Sequence, residues 1–144
     1  MSSDVPNFLV VDDDTDTRNL MGTLLTSLGC TVQCVASGEE ALSNLGTPEQ
    51  ANRFDAIFLD VMMPGLNGYE VSEKIRAMPH GEHLPVIMLT AKESYSDVLG
   101  GYSAGADYYI TKPITRAQLT YSLDLLLNPG DGSKNKEPFF LPEA

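Results

Sequence analysis

The chain has 144 residues, 42% hydrophobic and 20% charged, which suits one domain better than two and excludes a disordered acidic chain. Nine Lys and Arg stand against twenty Asp and Glu, and the resulting net charge of −11 argues against nucleic acid or an anionic membrane surface as the main partner, because phosphate would be repelled. No apolar run approaches the ~20 residues of a membrane span, and the start MSSDVPNFLVVDDD lacks the basic and long apolar stretches of a secretory signal, so a soluble cytoplasmic domain is expected.

Strand-like and helix-like patterns alternate from residue 7 to about 127. Residues 7–11 (NFLVV) form an apolar run that ends at acids. Residues 15–28 carry Leu20, Leu24, Leu28 and Met21, Leu25 at spacings of four, the stripe of a helix. Gly29 follows as a helix stop. Residues 31–36 read as a strand. Ser37 and Glu40 have capping-box spacing before Ala41, Leu42 and Leu45. Residues 47–53 are polar and contain Pro48, so they read as a loop or a frayed helix end.

Residues 54–59 are a third strand ending at Asp60, followed by a turn-rich loop, MMPGLNG (62–68). A helix is expected at 69–78, stopped near Pro79, and a fourth strand at 84–89 with Pro85 near its start. A weak helix at 94–104 carries Gly100 and Gly101, which predicts local instability there. A fifth strand is expected at 107–111 and a last helix at 115–127, with Thr115 and Gln118 in capping-box spacing. Residues 128–144 turn rich in Gly, Pro and charge before PFFLP, and read as a tail or linker outside a domain of residues 1–127. Docking of Phe139, Phe140 and Leu141 on a surface is the sharper alternative.

Cys30 and Cys34 lie in a strand-like segment roughly 13 Å apart, beyond disulfide reach, so two reduced, largely buried thiols are expected. His80 and His83 cannot complete a metal site with them and read as bystanders in a polar loop.

Apolar strands alternating with helices predict an α/β fold, a doubly wound five-stranded parallel sheet covered on both faces by five helices. Ligand sites in such sheets lie at the carboxyl ends of the strands. There stand Asp12, Asp13 and Asp14 after the first strand, Asp60 after the third, Thr90 and Ala91 after the fourth, and Thr111, Lys112 and Pro113 after the fifth. Clustered carboxylates repel one another and call for a cation, and few carboxylates with waters suit Mg²⁺. Asp60 can then act as a nucleophile toward phosphorus and carry an acyl phosphate. Thr90 and Lys112 would hold the phosphoryl oxygens. Asp14 and Asp16 read instead as solvated acids of the first helical turn, and Asp12 or Asp13 taken alone would be an N-cap.

The pieces LVVDDD (9–14), FLDVMMPGLNG (58–68), IMLTAK (87–92) and AGADYYITKP (104–113), in this order, make residues 7 to about 127 resemble the receiver domain of two-component response regulators, chemotaxis regulators among them. The resemblance implies a flavodoxin-like sheet of order 2-1-3-4-5, with Asp60 as phosphoacceptor. Asp12 and Asp13 would be the acidic pair, and Asp12, Asp13, Asp60 and the backbone carbonyl of Met62 the Mg²⁺ site. Thr90 would be the switch hydroxyl, Tyr109 the switch aromatic, and Lys112 the phosphoryl-pairing lysine, with a cis bond to Pro113. Met62 and Lys92 would flank the path of the hydrolytic water and tune phosphate lifetime. A histidine kinase or phosphotransfer protein would donate. Phosphorylation would then change the surface of the helix at 94–104, the fifth strand and the last helix for a downstream protein partner or a missing output domain, with phosphorylation-dependent dimerisation one outcome.

On this reading the domain phosphorylates and dephosphorylates itself but is not a turnover enzyme. The competing reading is an aspartate-nucleophile phosphatase of the haloacid dehalogenase type. Its signature needs Asp-x-Asp-x-Thr/Val, and the fifth position is Asp16 counted from Asp12, or Arg18 counted from Asp14. A receiver-like module that no longer accepts phosphate is disfavoured by the complete Asp12, Asp13, Asp60, Thr90 and Lys112 set.

Overall fold

The alternation of buried strands and amphipathic helices resolves into one parallel sheet, ordered β2-β1-β3-β4-β5. The computed structural model describes residues 5–91 and 105–127. In chain order these form β1 (Asn7–Val11), α1 (Thr15–Ser27), β2 (Thr31–Val35), α2 (Gly38–Ser43), α3 (Pro48–Ala51), β3 (Ala56–Asp60), α4 (Gly68–Ala77), a 3-10 turn at Pro79–Gly81, β4 (Val86–Ala91), β5 (Tyr108–Lys112) and α5 (Arg116–Leu127). The expected helix at 94–104, Lys92 and the tail at 128–144 lie outside the described residues. Among the described residues there are five α-helices, counting α3, a short helix where the sequence reads as a loop or a frayed helix end.

Side chains alternate across the sheet and build two separate cores. Leu9, Val11, Ile57, Leu59, Val86 and Met88 face α2, α3 and α4, where they meet Leu45, Val71 and Ile75. Phe8, Val10, Ala56, Phe58, Ile87 and Leu89 face the other way, against Met21 and Leu25 of α1 and Leu119 and Leu123 of α5. Phe8 and Phe58, on neighbouring strands, meet edge to face with ring centres 5.6 Å apart. Strands buried on both sides are what a doubly wound sheet requires.

Local signals place most helix ends. Gly29, at φ +89°, ends α1, with the Cys30 N–H donating to the Leu25 carbonyl at 3.0 Å. At α5, the Gln118 N–H donates to Thr115 Oγ1 and the Thr115 N–H to Gln118 Oε1, at 3.2 and 2.9 Å.

Several expectations are corrected. Residues 47–53 are not simply a loop. Thr47 and Gln50 form a capping box around a helical turn in which Pro48 takes a first-turn position, where its missing N–H costs nothing. Leu20 does not share the buried stripe of α1. Met21 and Leu25 take that place, and Leu20 is 41% exposed. His80 Nε2 lies 2.7 Å from the Leu45 carbonyl, a structural tie between the turn before β4 and the end of α2. The strands are not uniformly apolar and covered either. β2 is a sheet edge, and Cys34 on it is exposed, whereas Cys30 precedes the strand and is buried.

One thiol per chain is therefore expected to react with an aromatic disulfide reagent in the native protein and two in denaturant. Cys34→Ser should abolish the native reaction. Two reactive thiols in the folded state would contradict the burial of Cys30.

Candidate functional site

β1 and β3 are paired in parallel with Val11 opposite Leu59, so the next residues, Asp12 and Asp60, leave the sheet side by side. Asp12 is fully buried and Asp60 is 5% exposed. Asp13, one residue on, turns outward. The three carboxylates each bring an oxygen within 4.8 Å of the other two. The turn after β1 is held by the Asp14 N–H donating to Asp12 Oδ1 at 2.9 Å, and by Arg18 Nη1 donating to the Asp12 carbonyl at 2.7 Å. Asp14 is the N-cap of α1, accepting from the Thr17 N–H and hydroxyl at 2.9 and 2.8 Å. These bonds hold its carboxyl below its ordinary value. The capping role thus falls to Asp14, which leaves Asp12 and Asp13 for the site.

Lys112 reaches the acids from the end of β5. Its Nζ lies 3.1 Å from Asp12 Oδ2 and 3.4 Å from Asp60 Oδ1. Asp12 Oδ2 is buried, with the Lys112 ammonium as its charge partner and no further hydrogen-bond donor. Asp12 shares this corner with two further carboxylates, those of Asp13 and Asp60. A hard divalent cation bound partly by water fits such a donor set.

One ammonium does not offset these acids. Burial first, and the Asp12 charge second, push the Asp60 carboxyl up to about 7, against the pull of Lys112 and of the Met62 N–H, which lies 3.4 Å from Asp60 Oδ1. The Lys112 ammonium is desolvated, which opposes its charge, yet the carboxylates of Asp60 and Asp12 raise it above its ordinary value.

Asp60 is fixed from behind by α4. Asn67 and Glu70 close a capping box at its start, and the Gly68 N–H donates to the Val61 carbonyl at 2.9 Å. A methyl group at Gly68 would strike the Asp60 carbonyl oxygen and crowd the Val61 Cα. This close approach explains the glycine of the MMPGLNG loop.

Thr90 is buried at the end of β4, its hydroxyl only 3.4 Å from the Ala91 carbonyl, a weak contact. Tyr109 is fully buried in the core on the α4 side and pairs with Met88. Strand alternation puts Thr90 on the same face as Met88, so Thr90 and Tyr109 are diagonal neighbours. The Lys112–Pro113 bond is cis. Met62 is 68% exposed beside the acids. A groove of ≈ 410 Å³ adjoins the site, lined by Asp16, Thr17, Leu20, Lys112, Pro113 and Ile114. Thr17, Leu20 and Ile114 were not legible as site residues.

A family model of the response regulator receiver domain matches residues 8–124, and the chain belongs to that family. It is therefore a receiver domain of two-component signalling. It is 38% identical over 136 residues to Response regulator MprA of Mycobacterium sp. (strain KMS), covering 92% of this chain and 56% of that protein. The chain spans about half the length of the curated relatives it matches. Among solved structures, chemotaxis protein CheY4 of Vibrio cholerae is 30% identical with a TM-score of 0.76, covering 85% of this chain and 98% of that one. The receiver domain of sensor histidine kinase PA1611 from Pseudomonas aeruginosa PAO1, which holds a magnesium ion in its active-site cleft, is 33% identical with a TM-score of 0.73 and the same coverage of both chains.

Two predictions follow from the crowding at Asp60. Its folded-state pKa exceeds its unfolded one, so in chelator the charged form destabilises the fold as pH rises from about 4 through about 7. Asp60→Asn should therefore raise stability by on the order of 2–4 kcal/mol at pH 8, a gain that vanishes near pH 4 in urea melts. Equal gains at both pH values would contradict the burial of a charge. Gly68→Ala should lower stability by roughly 1–3 kcal/mol through overpacking against β3, and a melting temperature equal to the parent's would show that the contact is not tight.

Proposed function

We propose that Asp60 is the phosphoacceptor and that Asp12, Asp13, Asp60 and the Met62 carbonyl hold the Mg²⁺ it requires. The observation that carries this reading is the placement of Lys112 Nζ between two buried carboxylates, 3.1 and 3.4 Å away, with a third within reach. A carboxylate oxygen of Asp60 attacks phosphorus, the new O–P bond forms as the donor's N–P bond breaks, and the donor imidazole leaves with its electron pair. Bound Mg²⁺ supplies the charge that lets a phosphoryl dianion approach three acids. Lys112 then pairs with a phosphoryl oxygen, and Thr90 turns its hydroxyl toward another. Water returns Asp60 and inorganic phosphate, with Met62 and Lys92 setting how readily it enters. This is one turnover per transferred group, not catalysis on an external substrate.

The donor is a sensor histidine kinase or a phosphotransfer protein in the cytoplasm. The groove between α1 and the segment after β5 offers exposed Leu20 over the buried Ile114, with Lys112 at its edge, a surface suited to a donor helix. Movement of Thr90 toward the phosphoryl group opens space for Tyr109, its diagonal neighbour, and shifts the population between two packings. The readout passes to a protein partner, to a second copy of the chain, or to an output domain such as the additional length of the relatives would contain. Residues 1–127 form the receiver and 128–144 a tail or linker.

Acetyl phosphate with Mg²⁺ should label the protein to about one phosphoryl group per chain. Asp60→Asn or a chelator should abolish labelling, and Lys112→Ala should slow it at least about tenfold, the equivalent of roughly 1.4 kcal/mol. Steady turnover of phosphate monoesters, with labelling retained in Asp60→Asn, would overturn the reading in favour of a phosphatase.

A further inference from the structure

The mechanism leaves unused the most heavily engaged cation of the described residues, Arg76. It stands in the last turn of α4, at the opposite end of the sheet from the acids. Its Nη1 donates to the carbonyls of Gly81 and Leu84, at 2.9 and 2.6 Å, which index the loop that enters β4. Its Nε and Nη2 donate to the Gly105 carbonyl at 3.1 and 2.8 Å, and Nη2 also meets Asp107 Oδ2 at 2.9 Å. Gly105 has φ +95°, and a Cβ there would collide with the Arg76 side chain. Asp107 closes the arrangement by pairing twice with Val86. Its N–H donates to the Val86 carbonyl, and its Oδ2 accepts the Val86 N–H, both at 2.8 Å.

β5 needs such a device. Among the described strands it pairs on one side only, with β4. Its consecutive residues Tyr109 and Ile110 are both fully buried, one in each core. Register is normally set by the difference between a buried and a solvated face. Where consecutive residues are fully buried, one on each face, that difference is weak. A slip of one residue would carry Lys112 about 3.3 Å along the strand and turn its side chain to the other face, out of reach of Asp12 and Asp60.

We infer that Arg76 and Asp107 form a register clamp that sets which residue of β5 arrives beside Ala91, and so position Lys112 against the acids from the far end of the sheet. The inference rests on the reading of Lys112 as the phosphoryl-pairing group. Arg76 and Asp107 are positioning residues, because neither touches the reacting atoms.

The test uses Arg76→Gln, Asp107→Asn and Arg76→Lys in the full chain, with Lys112→Ala as reference. Register is read directly by NMR, from the cross-strand contact between the backbones of Ala91 and Lys112, with no phosphoryl donor present. Function is read as the rate of labelling by acetyl phosphate. The clamp requires Arg76→Gln to weaken or split that contact and to slow labelling at least about fivefold, with Arg76→Lys recovering part of the rate. It also requires that adding Arg76→Gln to Lys112→Ala cost nothing further, since both act through one ammonium. An unchanged cross-strand contact, or a labelling loss that multiplies with that of Lys112→Ala, would overturn it. If Arg76→Gln does not fold, Asp107→Asn carries the same measurements, because it keeps an acceptor for the Val86 N–H. If the parent itself is not labelled, the function assigned to Asp60 fails, while the cross-strand contact still decides the clamp.

Discussion

Asp12 and Asp60 are pressed together because β1 and β3 are parallel neighbours in register, and the sheet gives their carboxylates no water to retreat into. That apposition sets the terms for the groups around it. Two buried like charges are tolerable only if one takes up a proton, a cation arrives, or a fixed ammonium sits between them. The structure supplies the third in Lys112, incompletely, and burial together with the Asp12 charge keeps the Asp60 carboxyl raised. A site left short of positive charge favours a divalent cation. With that cation in place, the charge balance tilts toward accepting an anionic phosphoryl group.

The remaining elements support this constraint. The Asp14 cap and the Arg18 bond hold the Asp12 turn, and α4 backs the Asp60 peptide through Gly68. The acids are delivered by strand ends, whose positions are set by hydrogen-bonded pairing, rather than by long loops. Groups that must converge on one point need that precision, since small displacements of reacting groups are costly in rate.

The fold and most of the site were legible because they depend on chain order. A parallel sheet sends every strand's carboxyl end to one rim, so acids, a hydroxyl and a lysine at strand ends must meet there whatever the details of packing. What could not be read depends on tertiary position. Whether Cys34 is covered turns on β2 being an edge, and Thr31–Val35 carries no mark of that. Pro48 reads as a breaker unless Thr47 and Gln50 are seen to cap the turn around it. Arg76 in the last turn of α4 has the ordinary appearance of a solvated basic residue; only the folded chain brings the Gly81, Leu84 and Gly105 carbonyls to its guanidinium. Asp107 lay within a recognised motif, but no pattern in the sequence links it to residue 76.

The two cores share a sheet but no side chains, and this has a bearing on how such a protein can diverge. Leu20 and Ile114 beside the groove lie toward the α1 and α5 layer, while Tyr109 lies in the layer of α2 to α4. Residues without common contacts contribute independently to free energy. Substitutions around the groove on the α1 and α5 side can therefore accumulate without being felt by the packing around Tyr109 on the other. The sheet acts as a partition, and one layer can change without disturbing the side-chain packing of the other.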